Sequence, residues 1–212
     1  MKPNSAKRKR PSRAPQAGRA GGKLRIVGGD FRRRQLPVLE YPGLRPTPDR
    51  VRETLFNWLG QALYRQRVLD LFAGTGALGI EALSRQAAHV HFVERDRAVA
   101  EQIRANLATL KATHAQVVTQ EALAFLEKPG AAFDLVFLDP PFHQGLAAPC
   151  CLALENGNWL APGAMVYVET ETALTPEVPA HWRLYRETHA GESTARLYQR
   201  ESTTSTLAAN SA

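Results

Sequence analysis

Two short segments of this 212-residue chain place residues at spacings that can do chemistry. The first, Ala73-Gly74-Thr75-Gly76-Ala77-Leu78-Gly79, is a G-x-G-x-x-G run, with Glu94 twenty residues beyond Gly74. Glycines so spaced let the backbone approach a nucleotide-type ligand, and an acid at that distance can accept both ribose hydroxyls. Charge separates the candidate ligands. A nicotinamide dinucleotide would lay an anionic pyrophosphate on this loop, whereas S-adenosylmethionine presents an ammonium, a carboxylate and a sulfonium. Asp70, four residues before Gly74, would repel the pyrophosphate but could receive the ammonium directly or through water. The plainer reading makes the glycines a tight turn and Asp70 a buried, capped acid.

The second segment is Asp139-Pro140-Pro141-Phe142. Consecutive prolines fix φ and remove N–H groups, leaving a stiff bracket that presents the Asp139 carboxylate and the Pro140 carbonyl as acceptors. An exocyclic amine on a nucleobase is a poor nucleophile, because its lone pair is delocalised into the ring. Two acceptors gripping its hydrogens turn the lone pair towards an electrophile and favour a cationic transition state. Phe142 offers a face to the base, and such stacking is worth roughly 1–3 kcal/mol. The alternative is a tight turn after a buried strand. No general base stands out among His89, His91, His114, His143, His181 and His189. None is needed, since an amine that has attacked an electrophile becomes acidic and can pass its proton to Asp139 or water.

Both segments need strands to hold them. Apolar runs at 68–72, 89–93, 116–119, 133–138 and 165–169 read as strands, alternating with helical patterns at 77–85, 98–110 and 122–126. That alternation predicts an α/β fold with right-handed crossovers and a mostly parallel, seven-stranded, Rossmann-like sheet. Segments 182–187 and 195–199 predict an antiparallel pair at one edge. Ligands of such sheets bind beyond the carboxyl ends of the strands, so the two loops should face one crevice. Upstream, residues 24–37 read as a hairpin with a Gly28-Gly29 turn, carrying Arg25, Arg32, Arg33 and Arg34. The proline-rich stretch 41–48 excludes helix interior. After it, Val51, Leu55, Trp58, Leu59 and Ala62 form an apolar stripe, with Arg50, Arg52 and Glu53 on the other faces.

Composition sets the frame. The chain is 44% hydrophobic and carries a net charge of +7. Eight basic and no acidic residues lie in 1–23, leaving 19 basic against 20 acidic residues elsewhere, so the surplus belongs to a tail. Such a run should be disordered and suits phosphate contact. Cys150 and Cys151 are adjacent, which fits neither a loop-closing disulfide nor a zinc site, and no window is apolar enough for a membrane span. The expected organisation is a disordered basic tail at 1–22, a hairpin and helix at 23–66, a catalytic core at 67–200, and a second disordered tail at 201–212. A cytoplasmic monomer without metal is expected.

The order of Asp70-Leu-Phe-Ala-Gly-Thr-Gly76, Glu94 and Asp139-Pro-Pro-Phe142 resembles class I S-adenosylmethionine-dependent methyltransferases acting on exocyclic amines. The string Arg45-Pro-Thr-Pro-Asp-Arg-Val-Arg-Glu-Thr-Leu-Phe-Asn-Trp58, after a Gly-Gly hairpin, is similar to the RsmD family of bacterial 16S rRNA guanine-N2 methyltransferases. The resemblance spans residues 24–200. It implies S-adenosylmethionine as cofactor, held by Thr47, Asp70, Phe72, Ala73, Gly74, Thr75, Gly76, Glu94, Arg95, Glu121 and Ala122. It implies a base pocket of Asp139, Pro140, Pro141 and Phe142, and a segment around Arg45 and Thr47 that closes over the methionine carboxylate; by their charge Arg25, Arg32, Arg33, Arg34, Arg45 and Arg50 are expected to contact RNA. It also implies 16S rRNA or the assembling small subunit as partner, with N2 of guanine 966 as the target. Two departures stand out: Glu121 replaces the usual Asp beside the adenine, and the basic tail is not a family feature.

Three rivals remain open from the residues. An NAD-dependent oxidoreductase would use the glycine loop and Glu94 but leaves Asp70, residues 139–142 and the tail without roles. A DNA or RNA adenine-N6 methyltransferase would share the proline loop, though a separate target-recognition domain has little room here. A ribosome-assembly factor without catalysis would use only the tail and hairpin.

Overall fold

In the computed structural model, residues 20–41, 44, 47–60, 63–128 and 130–202 are described. Arg45, most of the basic tail and residues 203–212 lie outside that set. Strands β1 (Ala20–Arg25) and β2 (Gln35–Leu39) form an antiparallel hairpin, and α1 (Asp49–Leu59) follows. The core then runs β3 (Arg67–Asp70), α2 (Ala77–Ser84), β4 (His89–Glu94), α3 (Arg97–Leu110), β5 (Ala115–Thr119), α4 (Ala122–Leu126) and β6 (Phe133–Leu138). It closes with α5 (Ala147–Asn156), β7 (Leu160–Glu171), β8 (Trp182–Ala190) and β9 (Ser193–Arg200).

The seven-stranded sheet has the order β5-β4-β3-β6-β7-β9-β8, parallel from β5 to β7, with β9 and β8 antiparallel at the edge. The α/β class and the edge pair expected from the sequence are both present. The winding reverses between β3 and β6, which are hydrogen-bonded neighbours. A crevice opens at such a switch point, because the loops leaving the two strands run to opposite faces. Alternation along each strand divides the core. Val68, Phe92, Leu135, Phe137 and Tyr167 pack under α1, α2, α3 and the hairpin. Leu69, Val93, Val136, Leu138 and Val168 pack under α4 and α5. Among the described residues no helix is long and apolar enough to cross a membrane.

The structure corrects several expectations. Arg52 does not lie on the outer face of α1: it is 1% exposed, with its guanidinium near Asp49 (2.5 Å) and Glu81 (3.4 Å). It also donates to the carbonyls of Arg25 (2.7 Å) and Thr47 (3.2 Å). The hairpin covers the face of α1 that a two-sided helix would leave wet, so a cation is buried there beside an acid from α2. Phe56, absent from the expected stripe, is fully buried against Phe137. Helix α5 was not anticipated because Pro149 interrupts it in sequence. Proline sits in the first turn, where its missing N–H costs nothing. Finally, β1 starts at Ala20, inside the stretch expected as tail, since main-chain pairing of Gly22 with Val38 needs no apolar side chain.

Candidate functional site

Four neighbouring parallel strands each bring an acid to the carboxyl rim. Asp70 ends β3, Glu94 ends β4, Asp139 follows β6 and Glu169 lies near the end of β7. Between β3 and β4 the glycine loop forms by strict local demands. Gly74 (φ 51°) and Gly76 (φ 79°) occupy the left-handed region, which costs an L side chain about 1–2 kcal/mol. Gly79 is needed for close packing: a Cβ there would lie 2.2 Å from the Phe92 ring. Its absence lets the Gly79 N–H reach Asp70 Oδ2 at 2.9 Å.

Asp70 is 3% exposed, and burial, opposed by the Gly79 hydrogen bond and reinforced by Glu94, pushes its carboxyl up to about 7. Glu94 accepts from Gly74 N at 2.9 Å and from Asp96 N at 2.8 Å, and burial raises it too. Asp96 caps α3 through Ala98 N and Val99 N, and takes the Tyr41 hydroxyl on its other oxygen. That hydroxyl, foremost, holds Asp96 below the usual carboxylate range. Tyr41 thus ties the segment after β2 to the rim. Leu44 stands over the glycine loop, 3.3 Å from where a Gly74 Cβ would lie.

Asp139 faces Glu169 and Asp70. Burial first, then those two acids, raise its carboxyl well above the ordinary range. Pro140 is buried, while Pro141 and Phe142 are exposed at the mouth. The loop is tethered at its far end, where the His143 N–H and Nδ1 both meet Glu171 Oε1 at the end of β7, the ring nitrogen at 3.1 Å. Among the described residues, Asp70, Asp139 and Glu169 have no ion-pair partner, and no His, Cys, Asp or Glu group is arranged to hold a metal.

The remaining sequence-derived candidates divide by place. Phe72, Ala73, Thr75 and Ala122 lie at or beneath the rim, with Ala73 N donating to Val93 O at 2.9 Å. Arg95 and Glu121 are exposed there, 3.9 Å apart. Thr47 and Arg50 flank the start of α1, and Arg25 pairs with Asp49 at 2.8 Å. Arg32, Arg33 and Arg34 are exposed elsewhere. Their loop bonds to Ser84 and Thr109, at the last turns of α2 and α3, and those helices run back from the rim to the amino edge of the sheet. Three arginines therefore sit at the opposite end from Asp139. Glu169, Tyr167, Asp96 and Tyr41 were missed. The signal for Glu169 was present: Val-Leu-Asp70, Phe-Val-Glu94, Phe-Leu-Asp139 and Tyr-Val-Glu169 are four apolar runs each closed by an acid.

A family model described as "Conserved hypothetical protein 95" matches residues 24–199. The Escherichia coli strain K12 protein named Ribosomal RNA small subunit methyltransferase D is 54% identical over 85% of this chain and 91% of its own length. The Haemophilus influenzae protein of the same name is 50% identical, over 87% and 97%. The solved structure of Escherichia coli yhhF is 51% identical, with a TM-score of 0.80 over 85% of this chain and 99% of that one. A Salinibacter ruber RNA methyltransferase solved with S-adenosyl-L-homocysteine, 17% identical over 74% and 94%, shares the fold at a TM-score of 0.58.

Proposed function

The chain belongs to the family described as Conserved hypothetical protein 95, and from that premise we propose an S-adenosylmethionine-dependent rRNA methyltransferase acting on N2 of a guanine in small-subunit rRNA, guanine 966. One observation carries the reading. The adjacency of β3 and β6 sets the glycine loop and the Asp-Pro-Pro-Phe loop on one rim, above acids that have no ion-pair partner among the described residues. A pyrophosphate would be repelled there, whereas a cationic ligand supplies the missing charge. Bound S-adenosylmethionine supplies an electrophilic methyl group on a positively charged sulfur.

The chain's own residues do the rest. Glu94, fixed by Gly74 and Asp96, receives the ribose hydroxyls. Asp70 and the loop at 73–76 receive the amino-acid end, and Leu44, Thr47 and the Tyr41 tether close over it. Ala122 and Glu121 border the adenine. Asp139 and the Pro140 carbonyl hold the hydrogens of the target amine, and Phe142 stacks on the base after it leaves its helix, an extrusion costing a few kcal/mol. Exposed Arg25 and Arg50 near the rim contact phosphates, which position without reading sequence.

The test is nucleoside mass spectrometry of small-subunit rRNA incubated with the protein and labelled methyl donor, as naked RNA and as partly assembled subunits. N2-methylguanosine in either substrate supports the reading. N6-methyladenosine would move the protein to the adenine class, and no labelled nucleoside in either would refute methyl transfer to this RNA.

A further inference from the structure

Glu169 has no part in the reading above, yet it is 7% exposed at the rim. In the register of β6 and β7, Leu138 pairs with Val168, so Asp139 and Glu169 are the next residues on parallel strands about 4.7–4.9 Å apart. Phe137 and Tyr167, two residues before each, are in edge contact on one face of the sheet, and Asp139 and Glu169 continue that face. The Tyr167 hydroxyl, on a fully buried ring, donates to Glu169 Oε2 at 2.6 Å.

We propose that Glu169 is a positioning residue for methyl transfer: held beside Asp139 by the Tyr167 hydroxyl, it keeps a proton on Asp139 in the free protein, which leaves when a cationic methyl donor binds and is replaced by the proton of the methylated amine. The inference rests on the methyltransferase reading. The Tyr167 hydroxyl donates to Glu169, so of these two adjacent acids Asp139 is the one that carries the shared proton. The titratable groups facing Asp139 are Glu169 and Tyr167 on β7 and Asp70 on β3, the last in turn facing Glu94 on β4. The buried cation of α1, Arg52, is engaged by Asp49 and Glu81. Atoms and charge balance: the nitrogen lone pair forms the new bond to carbon, the sulfur keeps the pair of the broken bond, and the displaced proton passes from nitrogen to Asp139. The rim loses a cation and gains a proton in one event, so its net charge is unchanged.

Calorimetric titration near pH 7, in two buffers of different ionisation enthalpy, counts protons released on binding. Wild type should release about one proton with S-adenosylmethionine and clearly fewer with S-adenosylhomocysteine, which lacks the sulfonium charge. Glu169→Gln keeps an acceptor for Tyr167 but removes the charge. It should at least halve the release and move the acid limb of the single-turnover rate down by roughly one pH unit. Asp139→Asn should lose most of the release, Asp70 contributing the remainder. Equal release in wild type and either variant overturns the proposal. If Glu169→Gln fails to fold, Tyr167→Phe replaces it, since Glu169 then competes for the proton; an acid limb unmoved in that variant is equally fatal. Methyl transfer without proton release sinks the proposal and leaves the methyltransferase reading intact. Failure to bind S-adenosylmethionine at all overturns both.

Discussion

Glu81 is an acid kept fully from water and Asp139 is one half-buried at the rim, and their surroundings are opposite. Glu81, fully buried on α2, accepts from Arg85 Nε at 2.9 Å, Val27 N at 2.9 Å and Gly28 N at 2.8 Å, with Arg52 at 3.4 Å. Asp139 meets two further acids. The first arrangement is electrically complete and fastens the hairpin loop and α1 to α2. The second is incomplete, and its deficit is of the sign that a cationic ligand removes. An acid whose charge is compensated by its own chain is architecture, whereas one that must hold a proton for want of a cation belongs to a binding site.

The largest expected effect falls on the completed cluster. Glu81→Ala leaves two buried guanidiniums short of a partner, and should cost about 3–5 kcal/mol in denaturant unfolding. A loss under 1 kcal/mol would erase the distinction just drawn. At the rim the losses should be kinetic. Asp139→Ala should lower the single-turnover rate by about a hundred- to a thousandfold at saturating cofactor, while weakening the cofactor by no more than about tenfold. A near wild-type rate refutes the role of the proline bracket. Glu94→Ala removes charge-assisted contacts worth roughly 1.5–3 kcal/mol, so calorimetry should show S-adenosylmethionine bound about ten- to a hundredfold more weakly. Unchanged affinity would leave Glu94 as a brace for the glycine loop.

The smallest effect is a pH dependence. Asp70 titrates near 3.8 when unfolded and at about 7 when folded, so the native state holds its proton more tightly. Its contribution is therefore complete below pH 4 and is lost as pH rises through 7. Asp70→Asn should keep the Gly79 contact and remove that loss, raising Tm relative to wild type by roughly 5–10 °C more at pH 8 than at pH 5. An identical difference at both pH values would mean that Asp70 is ionised throughout.

Local pattern was sufficient for the strands and helices that carry the glycine loop and Asp139, because each is announced by its own apolar run and breaker residues. It was insufficient wherever a role depends on what lies across a gap in sequence. Arg52 reads as a solvated face until the hairpin is laid over it. Glu169 becomes a neighbour of Asp139 only through the parallel pairing of β6 with β7. The arginines at 32–34 look continuous with the rest of the basic surface, yet the crossover helices place them at the amino edge. Helix α5 has small side chains and a proline at its start, so neither periodicity nor breakers reported it.

The hairpin is joined to the core twice over without covalent help. Leu24, Ile26, Leu36 and Val38 share the apolar core of the sheet. Arg52 donates to the hairpin at Arg25 and to the following segment at Thr47, while Tyr41 grips Asp96. Peptide connectivity between 41 and 49 is therefore dispensable for holding the part in place. A chain cut there should remain one particle, and a hairpin supplied as a separate fragment should find its seat.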